Sequence, residues 1–335
     1  MTNLLFFATM SASISGPRKV SYALFALALI MVARFDLGPC LLAGLVSRMI
    51  LHVTDRRLRA SNTRPAFARW GAVLAFLVLS FALGFIFIKF LRVGLVRMPV
   101  LLDTLLPKLG TFAERYGFDF PADNAKELRD VVVAAVKENS SSISKTSGLL
   151  TRGAFQVFIA MFIAVMHFLT PTKAEHEGHL YDAVRHEINA RVALFMSSFE
   201  RVVGAQVLIS TINTVLTTVF LHVMGFKFKT FLTLTTFVFG MVPIVGNVIS
   251  NVFIVASGLI VSEQLAVVGL VYLIVVHKLG YLLNSRILGG SIDTPMWMTL
   301  LGIVVGEALM GVPGVLLAPA LLHYAREELR AIPSR

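Results

Sequence analysis

Long uncharged apolar stretches, separated by short charged segments, are the main pattern of this chain. A helix needs about 20 apolar residues to cross the ~30 Å hydrocarbon core of a bilayer. The clearest stretch is 71–88. It begins after Trp70, an aromatic residue typical of the membrane interface, and ends before Lys89, a cation whose side chain reaches the headgroups. Further stretches cover 153–170, 202–224, 231–260, 266–283 and 297–322. The pattern predicts an all-α polytopic transmembrane helical bundle.

The N-terminal apolar segment 20–53 is interrupted by Asp36 and Pro39. A turn there would give a short helical hairpin, and the alternative is one long kinked helix. An arginine-rich segment, 48–69, follows and is expected to be a cytoplasmic loop. Because Arg18 and Lys19 would lie on the same side of the membrane, the hairpin is favoured over the single helix.

The stretch 231–260 is too long for one straight span and contains Pro243 and Gly246 near its middle. Proline lacks an N–H and clashes with the preceding turn, so we expect an interruption near residue 243. The chain then has about eight membrane segments with one interrupted or re-entrant helix. Both termini come out cytoplasmic, although re-entry of 231–260 would reverse the orientation of everything after it.

Two segments outside these spans carry amphipathic patterns. Leucines and aromatics fall on one helical face between residues 97 and 116, and a second stripe follows Pro171 up to residue 201. The resulting domain organisation has four parts: 1–96, an N-terminal hairpin, basic loop and third span; 97–151, an extramembrane amphipathic insert; 152–201, a span plus a cytoplasmic amphipathic helix; and 202–335, the C-terminal transmembrane core.

Composition excludes a water-soluble enzyme or binding domain, because 56% of the 335 residues are hydrophobic and only 15% are charged. The net charge of +11 is explained by cytoplasmic loops beside anionic lipid, so no nucleic-acid partner is expected. The single cysteine, Cys40, has no partner for an intrachain disulfide. No phosphate loop, nucleophile elbow or paired metal-ligand spacing occurs. We therefore predict no enzyme activity, no catalytic residue, no metal and no cofactor.

Polar side chains inside the apolar stretches are the main candidates for function, because each is costly unless it is paired or faces a cavity. Spacings of four, three and four align a polar stripe on one face of 202–224. These polar groups either hold helices together, at ~0.6 kcal/mol per hydrogen bond, or line a water-accessible solute or ion pathway. The predicted pathway residues are Gln206, Ser210, Asn213, Thr217, Pro243, Gly246, Asn247, Asn251 and Glu307.

Glu307 is a lone carboxylate in the last apolar stretch, flanked by glycines. An ionised carboxylate in mid-span costs several kcal/mol, so we expect it to point into the bundle interior. A second polar group lies at the end of 266–283 and in the following loop. It forms either an interfacial anchor or a gate: His277, Lys278, Asn284, Arg286 and Asp293.

Four motifs in the C-terminal half resemble the autoinducer-2 exporter (PerM-like) family of membrane permeases. They are FERVVGAQ at 199–206, VPIVGN at 242–247, VHKLGYLLNSR at 276–286 and LGIVVGEALMGVPGVLLAP at 301–319, of which the last is the most specific. The first half of the chain is similar only in layout. The sequence departs from the family pattern at Gly280, where an acidic residue is expected beside the His-Lys-Leu string.

The resemblance implies a multi-pass permease of the bacterial inner membrane that exports a small polar solute, with an autoinducer-2-like signal as one example. One alternative is a sodium or lithium/proton antiporter, with Glu307 as the titrating group. Another is a non-transporting scaffold that docks partners through 97–151 and 171–201. The implied partners are the lipid bilayer and a small polar solute or monovalent cation. The glycine-rich last span is also compatible with a homo-oligomer.

Overall fold

The computed structural model describes residues 16–115, 117, 147–170, 179–242, 245–287 and 295–332. These residues form ten helices and no strand, so the all-α prediction is confirmed. In chain order the helices are α1 Gly16–Arg34, α2 Gly38–Ala60, α3 Pro65–Arg115, α4 Ser147–Leu169, α5 Leu180–Val223, α6 Lys229–Gly240, α7 Val245–Val261, α8 Glu263–Ile287, α9 Met296–Met310 and α10 Val312–Arg330.

Five of the described helices, α1, α3, α4, α5 and α8, are long and apolar enough to cross a bilayer. Two shorter apolar helices lie within α7 and α9. Together they make the chain a multi-pass membrane protein.

The N-terminal segment is two helices and not one kinked helix. α1 ends at Arg34 and α2 begins at Gly38, with Asp36 between them in the left-handed conformation at φ 55°. α2 then continues to Ala60, so the predicted basic loop is largely helical. Arginine and leucine are good helix formers, and charge alone does not end a helix. The helix ends instead at a turn before Pro65, the first residue of α3.

The predicted boundaries between residues 96 and 97 and between residues 201 and 202 are absent, because one helix runs through each of them. α3 is 51 residues long, about 75 Å, so the beginning of the 97–151 insert continues the third span. α5 joins the predicted cytoplasmic amphipathic helix to the following span in 44 residues. The rest of the insert, at 118–146, and the start of the amphipathic helix, at 171–178, lie outside the described residues.

The predicted interruption of 231–260 is confirmed, and its two arms form a helical hairpin. α6 ends at Gly240 and α7 begins at Val245. The rings of Phe231 and Phe253 pack edge to face with centroids 5.4 Å apart. The Ser257 hydroxyl donates to the Lys227 carbonyl over 2.9 Å. The start of α6 and the end of α7 therefore meet, and we call this the outer end of the hairpin. Arms of 12 and 17 residues span roughly 18 and 26 Å, which favours re-entry.

The single span predicted over 297–322 is wrong, because α9 and α10 form a second helical hairpin. Gly311, at φ 63°, separates the arms, and Pro313 stands near the start of α10, where its missing N–H costs nothing. A Cβ added to Gly306 would lie 2.5 Å from the Gly314 carbonyl oxygen, so the arms touch at their backbones. The described chain therefore contains two interrupted segments instead of the predicted one.

The chain divides into two compact units, each described by itself. The N/C unit comprises Met1–Met49, Ala160–Val202 and Thr294–Arg335, and the central unit comprises Ile50–Ile159 and Val203–Asp293. Rings from α1, α5 and α10 meet in the N/C unit, where Tyr324 lies 5.2 Å from Phe25 and 5.8 Å from Phe195 between centroids.

The core of the central unit packs the α6–α7 hairpin against α3, α5 and α8. Its buried members include Leu101, Leu221, Phe226, Phe231, Leu232, Ile254 and Leu273. Lys108 of α3 also donates to the Ile260 carbonyl over 2.5 Å, and Arg115 pairs with Glu263 at 2.6 Å. The long helix α3 thus holds the turn between α7 and α8, which fixes the outer end of the hairpin.

Candidate solute pocket in the central unit

A pocket of about 40 Å³ lies among helices α5, α7 and α8 of the central unit. Since one water needs roughly 10–15 Å³ by this kind of measure, the space holds a few waters or part of a small solute. Most of the lining residues are apolar, and a few are polar. The lining residues are Ile209, Ile212, Asn213, Leu216, Asn247, Asn251, Leu273, Val276, His277, Leu279 and Gly280.

Three helices bring three amides and one imidazole together in this pocket. Asn213 comes from α5 and His277 from α8. Asn247 and Asn251 are one turn apart on α7, so their side chains share a face. None of the three amides makes a side-chain hydrogen bond to another described residue. Each amide therefore keeps two N–H donors and a carbonyl acceptor available to water or a solute.

The first two residues of the predicted α5 stripe support the hairpin and do not line the pocket. The Gln206 amide donates to the Gly240 carbonyl over 2.6 Å, and the Ser210 hydroxyl donates to the Phe237 carbonyl over 3.0 Å. These carbonyls belong to the last turn of α6, where no intrahelical N–H is available. Gln206 and Ser210 therefore cap α6. They fix to α5 the end of the hairpin at which α6 leads into α7, which we call its inner end.

The last residue of the stripe ties α5 to α8. The hydroxyls of Thr217 and Tyr272 lie 3.2 Å apart, and the Tyr272 ring stacks on Phe220 at 3.8 Å between centroids. Of the four predicted stripe residues, only Asn213 lines the pocket. Helical spacing placed them on one face, but the neighbour that each residue meets changes along that face.

The remaining predicted residues of the central unit have different positions. The backbone of Gly246 packs against the Phe239 carbonyl, so this glycine joins the hairpin arms. Lys278 is exposed and does not line the pocket. Asn284 and Arg286 are on α8, but their side chains lie outside the description, as do Pro243 and Asp293 entirely.

Glu307 lies on an exposed face of α9 in the N/C unit. Val304, three residues earlier on the same face, is apolar and 64% exposed. Gly302 and Gly306 occupy the opposite, packed face against α10. Since successive residues are about 100° apart around a helix, Glu307 turns away from that contact. Within the N/C unit the Glu307 carboxylate is therefore exposed and points away from the contact with α10. Its role in a solute or ion pathway stays a prediction.

An ion cluster in the N/C unit was not predicted. It comprises Arg18, Tyr22, Glu187, Arg191 and Glu328, and Arg191 donates to the Glu187 carboxylate over 2.7 Å. The Glu328 carboxylate accepts from the Tyr22 hydroxyl at 2.5 Å and from Arg18 at 3.2 Å. The Arg191 side chain, 2% exposed, lies 4.1 Å above the Tyr22 ring and 3.8 Å from the same carboxylate. Arg191 interrupts an apolar stripe of α5, the one sequence signal that could have revealed it.

A buried histidine lies close to this cluster in the sequence. His323 is 5% exposed, and its Nδ1 lies 3.0 Å from the hydroxyl of Ser198. Burial lowers the pKa of His323 below its usual value of 6.5, because the imidazolium loses its hydration. The charged groups around it oppose or add to this shift: Glu327 favours the charged form, while Arg201, Arg326 and Arg330 disfavour it.

We expect His323 to make the protein less stable in mild acid. Because the pKa is lower in the folded state, the unfolded chain binds more protons below about pH 6.5, and stability falls as the pH drops toward the folded-state value. The melting temperature of the purified protein in detergent should fall less between about pH 7.5 and pH 5.5 in His323→Gln than in the wild type. His222→Gln, at an exposed position of α5, is the matched control. Equal pH profiles for wild type and His323→Gln would contradict this assignment.

Comparison with known proteins identifies the family of the chain. No curated protein matches it. The sequence model of the AI-2E family transporter matches residues 20–333, nearly the whole chain. With this match and five described helices of membrane-spanning length, the chain belongs to the AI-2E family of membrane transporters.

Proposed function

We propose that this transporter is a permease for a small polar solute and that the pocket among α5, α7 and α8 is its binding site. The observation that carries the proposal is the group of three amides without protein partners among the described residues, set in an apolar wall. A polar group that meets neither water nor a partner costs roughly 1–3 kcal/mol or more. Such groups persist in a membrane protein where a solute or water reaches them.

The α6–α7 hairpin, which we propose is re-entrant, supports a role in binding. Asn247 is the third residue of α7, so its amide lies beside the N–H groups of a helix N-terminus, where partial positive charge accumulates. A hydroxyl or carbonyl oxygen of a solute would accept hydrogen bonds there. Asn213 and His277 offer further polar atoms on the neighbouring helices. This arrangement suits an uncharged solute with several oxygens.

The hairpin is also a suitable element for a conformational change. Its inner end is fastened to α5 by the two neutral hydrogen bonds of Gln206 and Ser210. Each such bond contributes about 0.5–1.5 kcal/mol net, so separating this end costs only a few kcal/mol. We propose that solute entry and release accompany movement of the hairpin against α5.

We also propose that the protein lies in a bacterial inner membrane with both termini in the cytoplasm. Arg18, near the described N-terminus, pairs with Glu328 near the C-terminus, which supports one side for both. If both hairpins are re-entrant and α2 crosses together with the five helices of membrane-spanning length, six crossings remain and both termini lie on one side. The orientation favoured by the arginines of the N-terminal half is therefore retained.

Cysteine labelling tests whether water reaches the pocket. Because Cys40 is the only cysteine, Cys40→Ser gives a cysteine-free background. In proteoliposomes, Asn213→Cys and Asn251→Cys should react with a charged, membrane-impermeant methanethiosulfonate, since only a hydrated thiol ionises. The matched controls, Leu208→Cys and Val275→Cys, lie on exposed apolar faces of α5 and α8 and should stay unreactive in lipid. Unreactive cysteines at both 213 and 251 would contradict the proposed site.

The antiporter hypothesis predicts a different result in the same vesicles. The described lining residues of the pocket include no aspartate or glutamate that could exchange a proton for a cation. We therefore expect no proton movement when sodium or lithium is added outside vesicles loaded with a pH-sensitive dye. Sodium-dependent proton flux without added solute would favour the antiporter over the permease.

A further inference from the structure

Gly280 stands on the pocket wall in the interior of helix α8. A glycine inside a helix destabilises it relative to alanine, because it loses the most backbone freedom on folding. Two reasons for a glycine on this wall are a close packing contact and the space of the pocket itself.

Close packing is not the reason. A Cβ added to Gly240 or Gly258 of the same unit would lie 2.6 Å or 2.9 Å from a neighbouring atom, and one added to Gly246 would overlap the backbone of α6. A Cβ added to Gly280 meets no heavy atom within 4 Å. The space in front of this glycine is open.

The open space belongs to the pocket. Gly280 follows His277 by three residues and Val276 by four, so all three share one face of α8, and all three line the pocket. Any side chain at position 280 would project from this wall. In a pocket of about 40 Å³, a branched side chain would fill much of the space between α8 and the amides of α7.

We propose that Gly280 is a specificity-determining residue that sets the size and the charge of the solute that the pocket accepts. The missing side chain leaves room for a branch or ring of the solute against the backbone of α8. It also leaves the described wall between His277 and the three amides without a carboxylate. The inference rests on the proposed function, because it concerns the ligand of the same pocket.

A reporter cysteine measures this effect without a known substrate. The reporter is Asn213→Cys in the Cys40→Ser background, and the probe is the rate at which it reacts with methyl methanethiosulfonate, a small neutral reagent. Gly280→Leu should slow this reaction by about tenfold or more because the side chain occupies the pocket. Gly280→Ala should slow a bulkier benzyl reagent about threefold more than the methyl reagent.

The charge of the wall is tested with Gly280→Asp. A carboxylate close to the reporter attracts a cation and repels an anion, and a partly buried site strengthens both effects relative to bulk water. The ratio of the rates with a trimethylammonium reagent and with a sulfonate reagent should therefore rise about tenfold or more.

The matched control is Gly84→Leu on α3, an exposed glycine that also has open space around it. It should leave all of these rates unchanged. If the reporter reacts normally but the rates and ratios do not respond to leucine, alanine or aspartate at 280, the inference is overturned and the proposed function stands. If the reporter with Gly280 intact is unreactive from water, the proposed function itself fails. Should Gly280→Leu not fold, the alanine and aspartate ratios decide, because alanine favours the helix.

Discussion

Replacing Gly246 with alanine is expected to separate the arms of the α6–α7 hairpin and to abolish access to the pocket. The added Cβ would overlap the carbonyl oxygen of Phe239 and lie 2.5 Å from its carbonyl carbon. These are backbone atoms inside a helix, so they cannot rotate away as a side chain would. Overpacking in a close contact costs about 1–3 kcal/mol and occasionally more, and a backbone clash is at the upper end.

The functional loss follows from the position of the glycine. Asn247 is the next residue and Asn251 lies one turn further along α7, so any displacement of Gly246 moves two of the three pocket amides. We expect a lower melting temperature in detergent and at least tenfold slower labelling of Asn251→Cys in Gly246→Ala.

Gly84→Ala is the control for the loss of a helical glycine. A Cβ at this exposed position of α3 meets no atom within 4 Å. Alanine should stabilise the helix by up to about 1 kcal/mol and leave the labelling rate unchanged. If Gly246→Ala melts and labels like Gly84→Ala, the close contact between the arms does not exist in the membrane.

The two hairpins show how far local chemistry predicts a fold. The interruption near Pro243 was predicted because a proline in mid-helix loses a hydrogen bond wherever it stands. The break at Gly311 was missed, although Pro313 follows it two residues later. Gly306 and Gly314 belong to the glycine-rich last span, whose small residues are compatible with contacts between separate helices. The same small residues serve equally well as the contact between two arms of one hairpin, and spacing cannot distinguish the two arrangements.

The polar residues of α5 show a similar limit for the site. Their spacing places Gln206, Ser210, Asn213 and Thr217 on one face, and all four meet neighbours on that side. Which of them meets a solute depends on where α6 ends. The carbonyls of Phe237 and Gly240 are free to accept hydrogen bonds only because the helix stops there. Along α5, Asn213 stands between Ser210, which meets the end of α6, and Thr217, which meets Tyr272 of α8. Only the three-dimensional structure shows that this position lines the pocket.

The ion cluster could not have been predicted from spacing, because Arg18 and Glu328 are separated by 310 residues. In the sequence, Arg18 served only as a marker of membrane orientation, and nothing singled out Glu328. A buried charge needs partners, but a sequence without an alignment does not say which distant residue supplies them.

Replacing Glu328 with leucine is therefore expected to destabilise the N/C unit strongly. Its carboxylate, 12% exposed, lies between two arginines, 3.2 Å from Arg18 and 3.8 Å from Arg191. Without it, Arg18 loses its carboxylate partner, the Tyr22 hydroxyl loses its acceptor, and Arg191 keeps its pair with Glu187 at 2.7 Å. Removing one partner of a buried ion pair costs about 3–5 kcal/mol when the remaining charge is left unpaired. The loss is at the lower end here, because Glu187 still balances Arg191. Purified Glu328→Leu should melt well below the wild type in detergent.

Two further variants separate the loss of charge balance from a general defect at the C-terminal end. Glu327→Leu removes the adjacent carboxylate, whose pair with Arg330 at 3.4 Å is exposed, so it should change stability by less than about 1 kcal/mol. Arg18→Met combined with Glu328→Leu should recover part of the lost stability, because it removes the repulsion between the two cations. If Glu328→Leu melts like Glu327→Leu, or if Arg18→Met makes it worse, the Glu328 carboxylate does not balance the two arginines, and Glu187 alone balances the buried Arg191.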